Sequence, residues 1–342
     1  HMPAPITAAA FAKLSTKAQL ARVEKLVRQA LPLYGLPPDS EVKLLSYSEN
    51  ATYLVRPPGG PRRVLRINRP GYHPRGNIAS ELAWVQAIRR DTPIVTAEPI
   101  PSLDGEHIQL VWHPAVPEPR NCVLFTFVEG TEPDESNRTA AFELLGETTA
   151  QLHKHVLGWK PPRKITRHRW DFDAMLGEKA PLWGDWRKGL GMTPVLAKEF
   201  ERLVSVLRRR VGAYGTGPRR FGLVHADLRA ANLLVHGDKI CVIDFDDAGF
   251  SWFVYDLAAA LSFIETHPDV PAYTEAWLKG YSKVRSLSKE DTDMIETFIM
   301  LRRMLLVAWI GSHHDTVQAQ AMGPQYTLDT CLLADRYLSK HA

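Results

Sequence analysis

The N-terminal part of the chain alternates between helical and extended patterns of apolar residues. Residues 16–31 carry apolar side chains at helical spacing, which predicts an amphipathic helix, and Pro37-Pro38 interrupts the chain after it. A further helix is expected from about Ile78 to Arg90, where apolar residues again recur on one face. Between these helices, short apolar segments separated by turn-forming residues such as Pro57–Pro61 predict strands at residues 42–45, 52–55 and 64–67.

Helical patterns dominate the rest of the chain. An apolar strand at Cys122–Phe127 is followed by Gly130, and beyond it the pattern changes from strand-rich to helix-rich. Two further apolar segments, 233–235 and 240–243, flank the turn residues His236–Lys239 and predict a β-hairpin. Helices are expected at about 140–155, 195–210, 256–265, 271–284, 289–312 and 328–338.

This order of elements predicts an α+β protein with a small β-rich lobe followed by a larger helical lobe. The length of 342 residues is sufficient for two such lobes. We expect an N-terminal helical extension, an N-lobe that binds nucleotide, a short hinge, and a C-lobe with the catalytic loop and acceptor site. Their expected boundaries are residues 1–38, 39–126, 127–131 and 132–342.

Charge and composition limit the classes of partner. The formal net charge is +4, from 42 basic and 38 acidic residues, which is small for this length and does not indicate nucleic-acid binding. A hydrophobic content of 45% is ordinary for a globular protein. Nothing in the sequence indicates an obligatory protein partner, so the expected partners are small molecules.

The cysteines and the most apolar helix indicate the compartment. Cys122 and Cys241 lie within apolar strands, and none of the three cysteines has metal-ligand spacing, so buried free thiols are expected. The apolar segment 298–310 is interrupted by Arg302 and Arg303, which indicates a core helix instead of a membrane span. Together with the lack of a visible signal peptide, these features predict a cytoplasmic protein.

The densest group of chemically useful residues runs from His225 to Asn232. Asp227 is followed five residues later by Asn232, and Asp244 follows the second strand of the expected hairpin. Phosphoryl transfer requires a carboxylate that orients and deprotonates the attacking hydroxyl, together with oxygen ligands for Mg²⁺. The hairpin would bring Asn232 and Asp244 to the same edge. We therefore predict Asp227 as the general base, and Asn232 and Asp244 as ligands of Mg²⁺.

These segments resemble the kinase-like superfamily of aminoglycoside phosphotransferases, choline kinases, homoserine kinases and, more distantly, protein kinases. Segment 225–232 is similar to their catalytic loop, with Ala226 where protein kinases have Arg, and segment 243–249 stands where they have D-F-G. Residues 243–258 most resemble the branch of bacterial stress-response kinase A and homoserine-kinase-like enzymes. The resemblance implies a bilobal protein-kinase-like fold, ATP as phosphoryl donor and Mg²⁺ as metal.

The resemblance extends to the N-lobe, where it implies nucleotide contacts. The polar turn 46–51 stands in place of the glycine-rich loop of protein kinases, and its Ser48 and Asn50 either contact the nucleotide or only form the turn. Adenine would lie against the backbone of the hinge strand, with Phe125 and Phe127 as apolar walls.

Arg66 and Glu81 complete the nucleotide site that the resemblance implies. Arg66, on the third expected strand, stands where protein kinases have a Lys that holds phosphates, and an Arg can do so through its guanidinium fork. Glu81, on the following helix, is its natural partner. The alternatives are an edge-strand Arg that faces solvent and a helix N-terminal acid stabilised by the helix dipole.

Other residues near the loop have roles that the resemblance suggests. Arg229 resembles the catalytic-loop cation of protein kinases and could contact the γ-phosphoryl group. Asp256 looks like the residue that opens a helix and braces the catalytic loop. Asp246 either joins the metal ligands or lies beside them, and His225 is better explained as a structural hydrogen-bonding residue than as a proton carrier.

Further groups suggest chemistry but have simpler explanations. Trp170, Trp183 and Trp186 fit packing better than a platform for substrate. The segment His313-His314-Asp315 lacks the spacing of a metal site, and Ser251 has no base beside it in sequence. Some acidic residues could recognise a polycationic acceptor, although some of them would equally well open a helix: Asp247, Glu265, Glu290, Asp291 and Asp293.

The function that follows is an ATP-dependent kinase of a small hydroxylated compound. Amino alcohols, amino sugars and aminoglycoside-type antibiotics are the acceptors considered, the last implying a role in antibiotic resistance. One alternative is a serine/threonine protein kinase of the stress-response kinase A type, although the chain lacks an A-P-E-type activation segment. A second is a nucleotide-binding module without catalysis, which the presence of Asp227, Asn232 and Asp244 argues against.

Overall fold

The computed structural model describes residues 3–48 and 50–342, which form two compact units. The N-terminal unit extends to residue 87 and adds residues 96–129 and 163–166. The C-terminal unit comprises residues 88–95, 130–162 and 167–342. A β-sheet characterises the first unit and helices dominate the second, which confirms the α+β prediction.

An antiparallel sheet organises the N-terminal unit. Its strands follow the order β1-β2-β3-β7-β5, and β6 also pairs with β7. These strands are β1 Glu41–Tyr47, β2 Ala51–Arg56, β3 Arg63–Ile67, β5 Pro99–Ile100, β6 Ile108–Val111 and β7 Arg120–Thr126, with β4 Val95–Thr96 at the boundary of the units. The helices are α1 Ala8–Ala12, α2 Thr16–Leu33 and α3 Arg75–Asp91, whose last residues belong to the C-terminal unit.

Successive side chains of strand β3 point to opposite faces of the sheet, so α2 and α3 pack against different residues of this strand. Leu65 and Ile67 of β3 share a core with the apolar face of α2. Val64, which points to the other face of the strand, packs in a separate core with Ile78 and Leu82 of α3. Helix α2 is therefore an integral part of the sheet unit, and Arg66 lies on the face that α3 covers.

The C-terminal unit contains helices and two small pairs of strands. One pair is the hairpin of β9 Leu233–His236 and β10 Lys239–Val242, and the other joins β8 Phe221–Val224 to β11 Gly249–Trp252. The helices are α4 Arg138–Gly158, α5 Phe172–Leu176, α6 Pro194–Tyr214, α7 Tyr255–Ala260, α8 Val270–Ser282, α9 Lys289–Thr292, α10 Ile295–Ser312 and α11 Val317–His341, with 3-10 turns at Glu135–Asn137, Trp186–Lys188 and Ala230–Asn232.

Two helices of this unit approach each other closely at glycines. A Cβ atom on Gly146 of α4 would lie 1.9 Å from the carbonyl oxygen of Trp277, and one on Gly280 of α8 would lie 1.8 Å from that of Glu143. Helix α10 is buried along almost its whole length, including Arg302 and Arg303. Among the helices described, none is both long and apolar enough to cross a membrane.

Several boundaries differ from the prediction. The helix expected over 256–265 ends at Ala260, and Phe263 beyond it has a left-handed φ of 70°. The helix expected over 289–312 is two helices, α9 and α10, and Ser288 and Asp291 form a capping box at the start of the short α9. The last helix begins at Val317 instead of residue 328 and is kinked at Gly323. The β8–β11 pair was not predicted, since its two short strands are separated by the catalytic-loop segment and the β9–β10 hairpin instead of by a tight turn.

Candidate active site

The β9–β10 hairpin brings Asn232 and Asp244 together, as its pattern predicted. Its register pairs Leu233 with Val242, which lie one residue after Asn232 and two residues before Asp244. Beyond the last pair, the backbone N–H of Ile243 donates to the carbonyl of Asn232 at 3.0 Å. Asp244 is exposed and has a left-handed φ of 60°, a conformation that non-glycine residues rarely adopt outside functional sites.

The side chain of Asp227 lies within the same loop and is held by its neighbours. The Nδ2 atom of Asn232 donates to the main-chain oxygen of Asp227 at 2.8 Å and to its Oδ2 at 3.2 Å. The Nε atom of Arg229 lies 3.0 Å from Oδ1 of Asp227. Since the amide nitrogen of Asn232 is used as a donor, its amide oxygen is the atom that could ligate a cation.

A second arginine, which the sequence analysis did not place in the site, also contacts Asp227. Arg302 of α10 has its Nη2 atom 3.3 Å from Oδ1, and its side chain is only 3% exposed. Burial by itself lowers the pKa of Arg302. The nearby Tyr255 and Asp227 have the larger combined effect and raise this pKa, so the guanidinium is charged. The signal available in the sequence was the charge itself, because an arginine within an apolar helix requires a buried partner.

A buried chain of hydrogen bonds braces the backbone of the catalytic loop. Ala226 has a left-handed φ of 69°, and its N–H donates to Oδ1 of Asp256, near the start of α7, at 2.9 Å. The other oxygen of Asp256 lies 2.7 Å from Nε2 of His153, whose Nδ1 lies 2.7 Å from the hydroxyl of Tyr281. Arg285 donates to that hydroxyl at 2.7 Å. Asp256 thus has the bracing position that the resemblance implied, and His153, Tyr281 and Arg285 extend the brace.

His225 is a structural residue of the loop. Its Nδ1 atom accepts from the backbone N–H of Asp227 at 3.1 Å, so its Nε2–H donates to the carbonyl of Ile243 at 2.9 Å. Burial lowers the pKa of His225, which favours this neutral tautomer. The first bond fixes the backbone before the side chain of Asp227, and the second joins this segment to the segment of Asp244.

Arg167 fixes the backbone that follows Asp244. Its Nε atom donates to the carbonyl of Ala248 at 2.6 Å, and its Nη2 atom donates to the carbonyl of Asp246 at 2.6 Å. Asp246 itself is buried. The role of Asp246 in metal binding, which the sequence analysis left open, stays open, whereas the support by Arg167 was not predicted.

The N-terminal unit contains the Arg66–Glu81 pair that the sequence suggested. The two Nη atoms of Arg66 donate to the two carboxylate oxygens of Glu81, each at 2.8 Å. Both side chains are almost completely buried, at 9% and 3% exposure. The alternative of a solvent-facing Arg66 is therefore wrong, and so is that of an acid in the first turn, because α3 begins at Arg75.

The other predicted nucleotide contacts also lie in this unit. Asn50 is buried, and its Oδ1 accepts from the backbone N–H of Arg69 at 3.0 Å, so this side chain shapes the turn. Ser48 is exposed, and residue 49 of the turn lies outside the described residues. Phe125 is part of the core beside α3, whereas Phe127 is half-buried with the guanidinium of Arg62 over its ring at 4.1 Å. A role of these four residues in nucleotide binding remains a prediction.

Most of the remaining candidates are structural. Trp170, Trp183 and Trp186 are buried, which confirms packing, and Ser251 donates to the carbonyl of Trp170. Cys122 and Cys241 are buried free thiols, as predicted. Among the described residues, no cluster of three or more His, Cys, Asp or Glu side chains could hold a metal, so the His313 segment is not such a site.

The acidic residues considered for acceptor recognition are mostly engaged elsewhere. Glu265 is buried and accepts from Arg303 at 2.8 Å and from the hydroxyl of Tyr326 at 3.0 Å. Glu290 pairs with Arg220, and Asp291 belongs to the capping box of α9. Because its charge is already paired inside the fold, Glu265 is poorly suited to the recognition of a polycationic acceptor that the sequence left as one possibility.

Comparison with known proteins identifies the family. The model of APH, the phosphotransferase enzyme family, matches residues 41–291. The chain belongs to this family. It is therefore an enzyme, a small-molecule kinase of the APH family, which confirms the predicted superfamily and excludes the nucleotide-binding module without catalysis.

Individual relatives agree with this assignment. Amicoumacin kinase from Bacillus subtilis (strain 168) is 28% identical over 308 residues, which cover 85% of this chain and 86% of that protein. The structure of the microcompartment-associated aminopropanol kinase is 39% identical, with a TM-score of 0.85 over 93% of this chain and 98% of that one. An amicoumacin kinase in complex with AMP-PNP and Ca²⁺ has a TM-score of 0.76 at 21% identity over 94% of this chain and 96% of that one, a likeness of fold alone.

Proposed function

We propose that this kinase transfers the γ-phosphoryl group of ATP to the hydroxyl group of a small amino alcohol. The observation that carries the proposal is the arrangement around Asp227, a carboxylate held by Asn232 and Arg229 on the loop that leads to Asp244. The acceptor class is supported by the 39% identity with an aminopropanol kinase, which extends over 93% of this chain.

In the proposed reaction Asp227 binds the acceptor hydroxyl and takes its proton while the acceptor oxygen bonds to the γ-phosphorus. The bond from that phosphorus to the oxygen bridging to the β-phosphate breaks in the same displacement, and ADP leaves with the electron pair. Arg229 contacts the γ-phosphoryl oxygens, and Arg66, held by Glu81, neutralises charge on the other phosphates. Positioning and charge neutralisation supply the rate increase, so no covalent enzyme intermediate is formed.

Asn232 and Asp244 have the donor atoms that suit Mg²⁺. An amide oxygen and a carboxylate are hard oxygen ligands, and Mg²⁺ keeps waters and takes phosphate oxygens for its remaining positions. Such a site needs no cluster of three acidic side chains, in agreement with the finding of none among the described residues. Bound there with ATP, Mg²⁺ would neutralise the charge that develops on the phosphate oxygens.

An antibiotic acceptor is the second candidate, and a specific similarity favours it. The amicoumacin kinase of Bacillus subtilis (strain 168) is 28% identical over 85% of this chain. We give preference to the amino alcohol because the identity to the aminopropanol kinase is higher and the coverage is greater.

An acceptor panel with radiolabelled ATP and MgCl₂ tests the proposal. The panel comprises 1-aminopropan-2-ol, ethanolamine, choline, homoserine, an aminoglycoside, amicoumacin and casein, with Asp227→Asn as the background control. We expect the highest kcat/KM for one of the small amino alcohols. A higher kcat/KM for amicoumacin or the aminoglycoside would favour the antibiotic class, and labelled casein would favour the protein kinase considered in the sequence analysis; either result would overturn the proposed acceptor.

A further inference from the structure

Arg302 is held in a fixed position by groups from other elements. Its Nη1 atom donates to the hydroxyl of Tyr255 at 2.8 Å and more weakly to the carbonyl of Ala226 at 3.4 Å. Its Nε atom donates to Oγ of Ser262 at 3.0 Å. Tyr255 opens α7 and Ser262 follows its end, so one short helix fixes the guanidinium on two sides. The remaining nitrogen, Nη2, is directed to Asp227 at 3.3 Å.

The contacts to Asp227 are unequal at its two oxygens. Oδ1 lies near both cations, 3.0 Å from Nε of Arg229 and 3.3 Å from Nη2 of Arg302. Among the residues that the structure describes, the donor that reaches Oδ2 is the neutral amide of Asn232, at 3.2 Å. Because two cationic groups crowd Oδ1, Oδ2 is the oxygen with more room to accept a hydrogen bond from an acceptor hydroxyl.

We propose that Arg302 is a positioning residue that clamps Oδ1 of Asp227, so that Oδ2 is presented to the acceptor hydroxyl. This inference rests on the proposed role of Asp227 as the base. Arg229 also contacts Oδ1, but its side chain is 32% exposed and it lies on the loop itself, whereas Arg302 is 3% exposed and anchored in α10. Arg302 is therefore the more rigidly held of the two arginines, and its position fixes the orientation of the Asp227 carboxylate. It also lies outside residues 41–291, which the family model matches.

The adjacent residue shows that a buried arginine in α10 need not serve catalysis. Arg303 is 2% exposed and pairs with Glu265 at 2.8 Å, and it also donates to Thr330 and to the carbonyl of Tyr326. Its contacts thus join α10 to α11 and do not include Asp227. Because the two arginines share helix, burial and charge, Arg303 is a matched control for the structural cost of removing such a side chain.

The experiment is a double-mutant cycle between Arg302→Met and Asp227→Asn, with 1-aminopropan-2-ol and Mg·ATP as substrates. We expect Arg302→Met to lower kcat about 10- to 100-fold while KM for ATP stays within a few-fold, since a misplaced base slows transfer without weakening nucleotide binding. In the Asp227→Asn background the same substitution should change kcat less than about three-fold, because its effect passes through Asp227. Arg303→Met should reduce Tm at least as much as Arg302→Met but leave kcat within a few-fold.

Two conservative variants keep the test decisive if Arg302→Met does not fold. Arg302→Lys retains the charge and should give a kcat between those of the wild type and Arg302→Met. Tyr255→Phe removes an anchor of Arg302 without touching Asp227 and should lower kcat by a smaller factor. Equal kcat losses from Arg302→Met in both backgrounds, or wild-type kcat in Arg302→Lys and Tyr255→Phe alike, would overturn the inference. Transfer that survives in Asp227→Asn would instead overturn the proposed base.

Discussion

One arginine–carboxylate site of the N-terminal unit and one of the C-terminal unit are opposite in character. In the N-terminal unit, the fork of Arg66 meets both oxygens of Glu81 at equal distances of 2.8 Å, and both residues lie on regular elements. In the C-terminal unit, Asp227 lies on an irregular loop, with two arginines at Oδ1 and one amide at Oδ2.

Under the proposed function, this difference distinguishes a carboxylate that orients an arginine, Glu81, from one that reacts, Asp227. A symmetric bidentate pair engages both carboxylate oxygens of Glu81, so Glu81 can only orient its arginine. The unequal contacts of Asp227 leave one oxygen less engaged, which a group that must accept a proton requires. Backbone strain follows the same division: among the described residues, the non-glycine residues with left-handed φ are Ala226, Asp244 and Phe263, all in the C-terminal unit, and the first two lie beside or within the proposed site.

The largest expected effect concerns the metal ligands of the second site. Asp244→Asn or Asn232→Ala should lower kcat with Mg·ATP by about 10³-fold or more. The first replaces a charged carboxylate ligand with a neutral amide, and the second removes an amide oxygen ligand at the transferred phosphate. Steady-state kinetics at saturating magnesium measures this. Asp238→Asn, in the exposed turn of the same hairpin, is the matched control and should retain the wild-type rate. Wild-type turnover by Asp244→Asn would show that Asp244 is not a ligand of the catalytic metal.

The next effect tests whether Asp227 is a reacting group. Asp227→Asn keeps the size of the side chain but removes its charge and its capacity to take a proton. Transfer should fall by about 10²-fold or more, while calorimetry shows Mg·ATP affinity within a few-fold of wild type. If Asp227→Asn lost nucleotide affinity and transfer in equal measure, Asp227 would be a residue that holds the nucleotide and not a reacting group. Glu81 is proposed to hold the nucleotide indirectly, through Arg66.

Substitutions in the symmetric Arg66–Glu81 pair should weaken the binding of ATP more than they slow phosphoryl transfer. Arg66→Ala should raise KM for ATP about 10-fold, Glu81→Ala should raise it less, and the double variant should lose less than both losses combined, since the residues act as a unit. Arg63→Ala, in the same strand but without contact to Glu81, is the control. Strictly additive effects would show that the pair does not act together on the nucleotide.

The smallest effect concerns pH and the support of the catalytic loop. Burial lowers the pKa of His153 and of His225 in the folded protein. Unfolded histidines bind protons below about pH 6.5, whereas these two resist protonation, so the free energy of unfolding should fall as pH decreases below that value. A drop of a few degrees in Tm between pH 7 and pH 5 is expected. His225→Gln should reduce this drop, and the exposed His314→Gln should not.

The local part of the site was predictable from the sequence. Asp227, Asn232 and Asp244 are connected by one loop and one hairpin, so their proximity follows from a short pattern with a turn at a fixed position. The Arg66–Glu81 contact was also accessible, because a strand followed by a covering helix brings them to the same face. Such contacts depend on the geometry of neighbouring elements alone.

Other features depended on the packing of distant segments and only the tertiary structure decided them. Arg302 is 75 residues from Asp227 and His153 is 103 residues from Asp256, and no periodicity relates positions so far apart. The sequence by itself determined which groups are the candidates for the chemistry, since the proposed reaction requires residues of these types at this spacing. The packing of α10, α4 and α7 decided which charges orient them, because buried polar groups find their partners only when the core assembles.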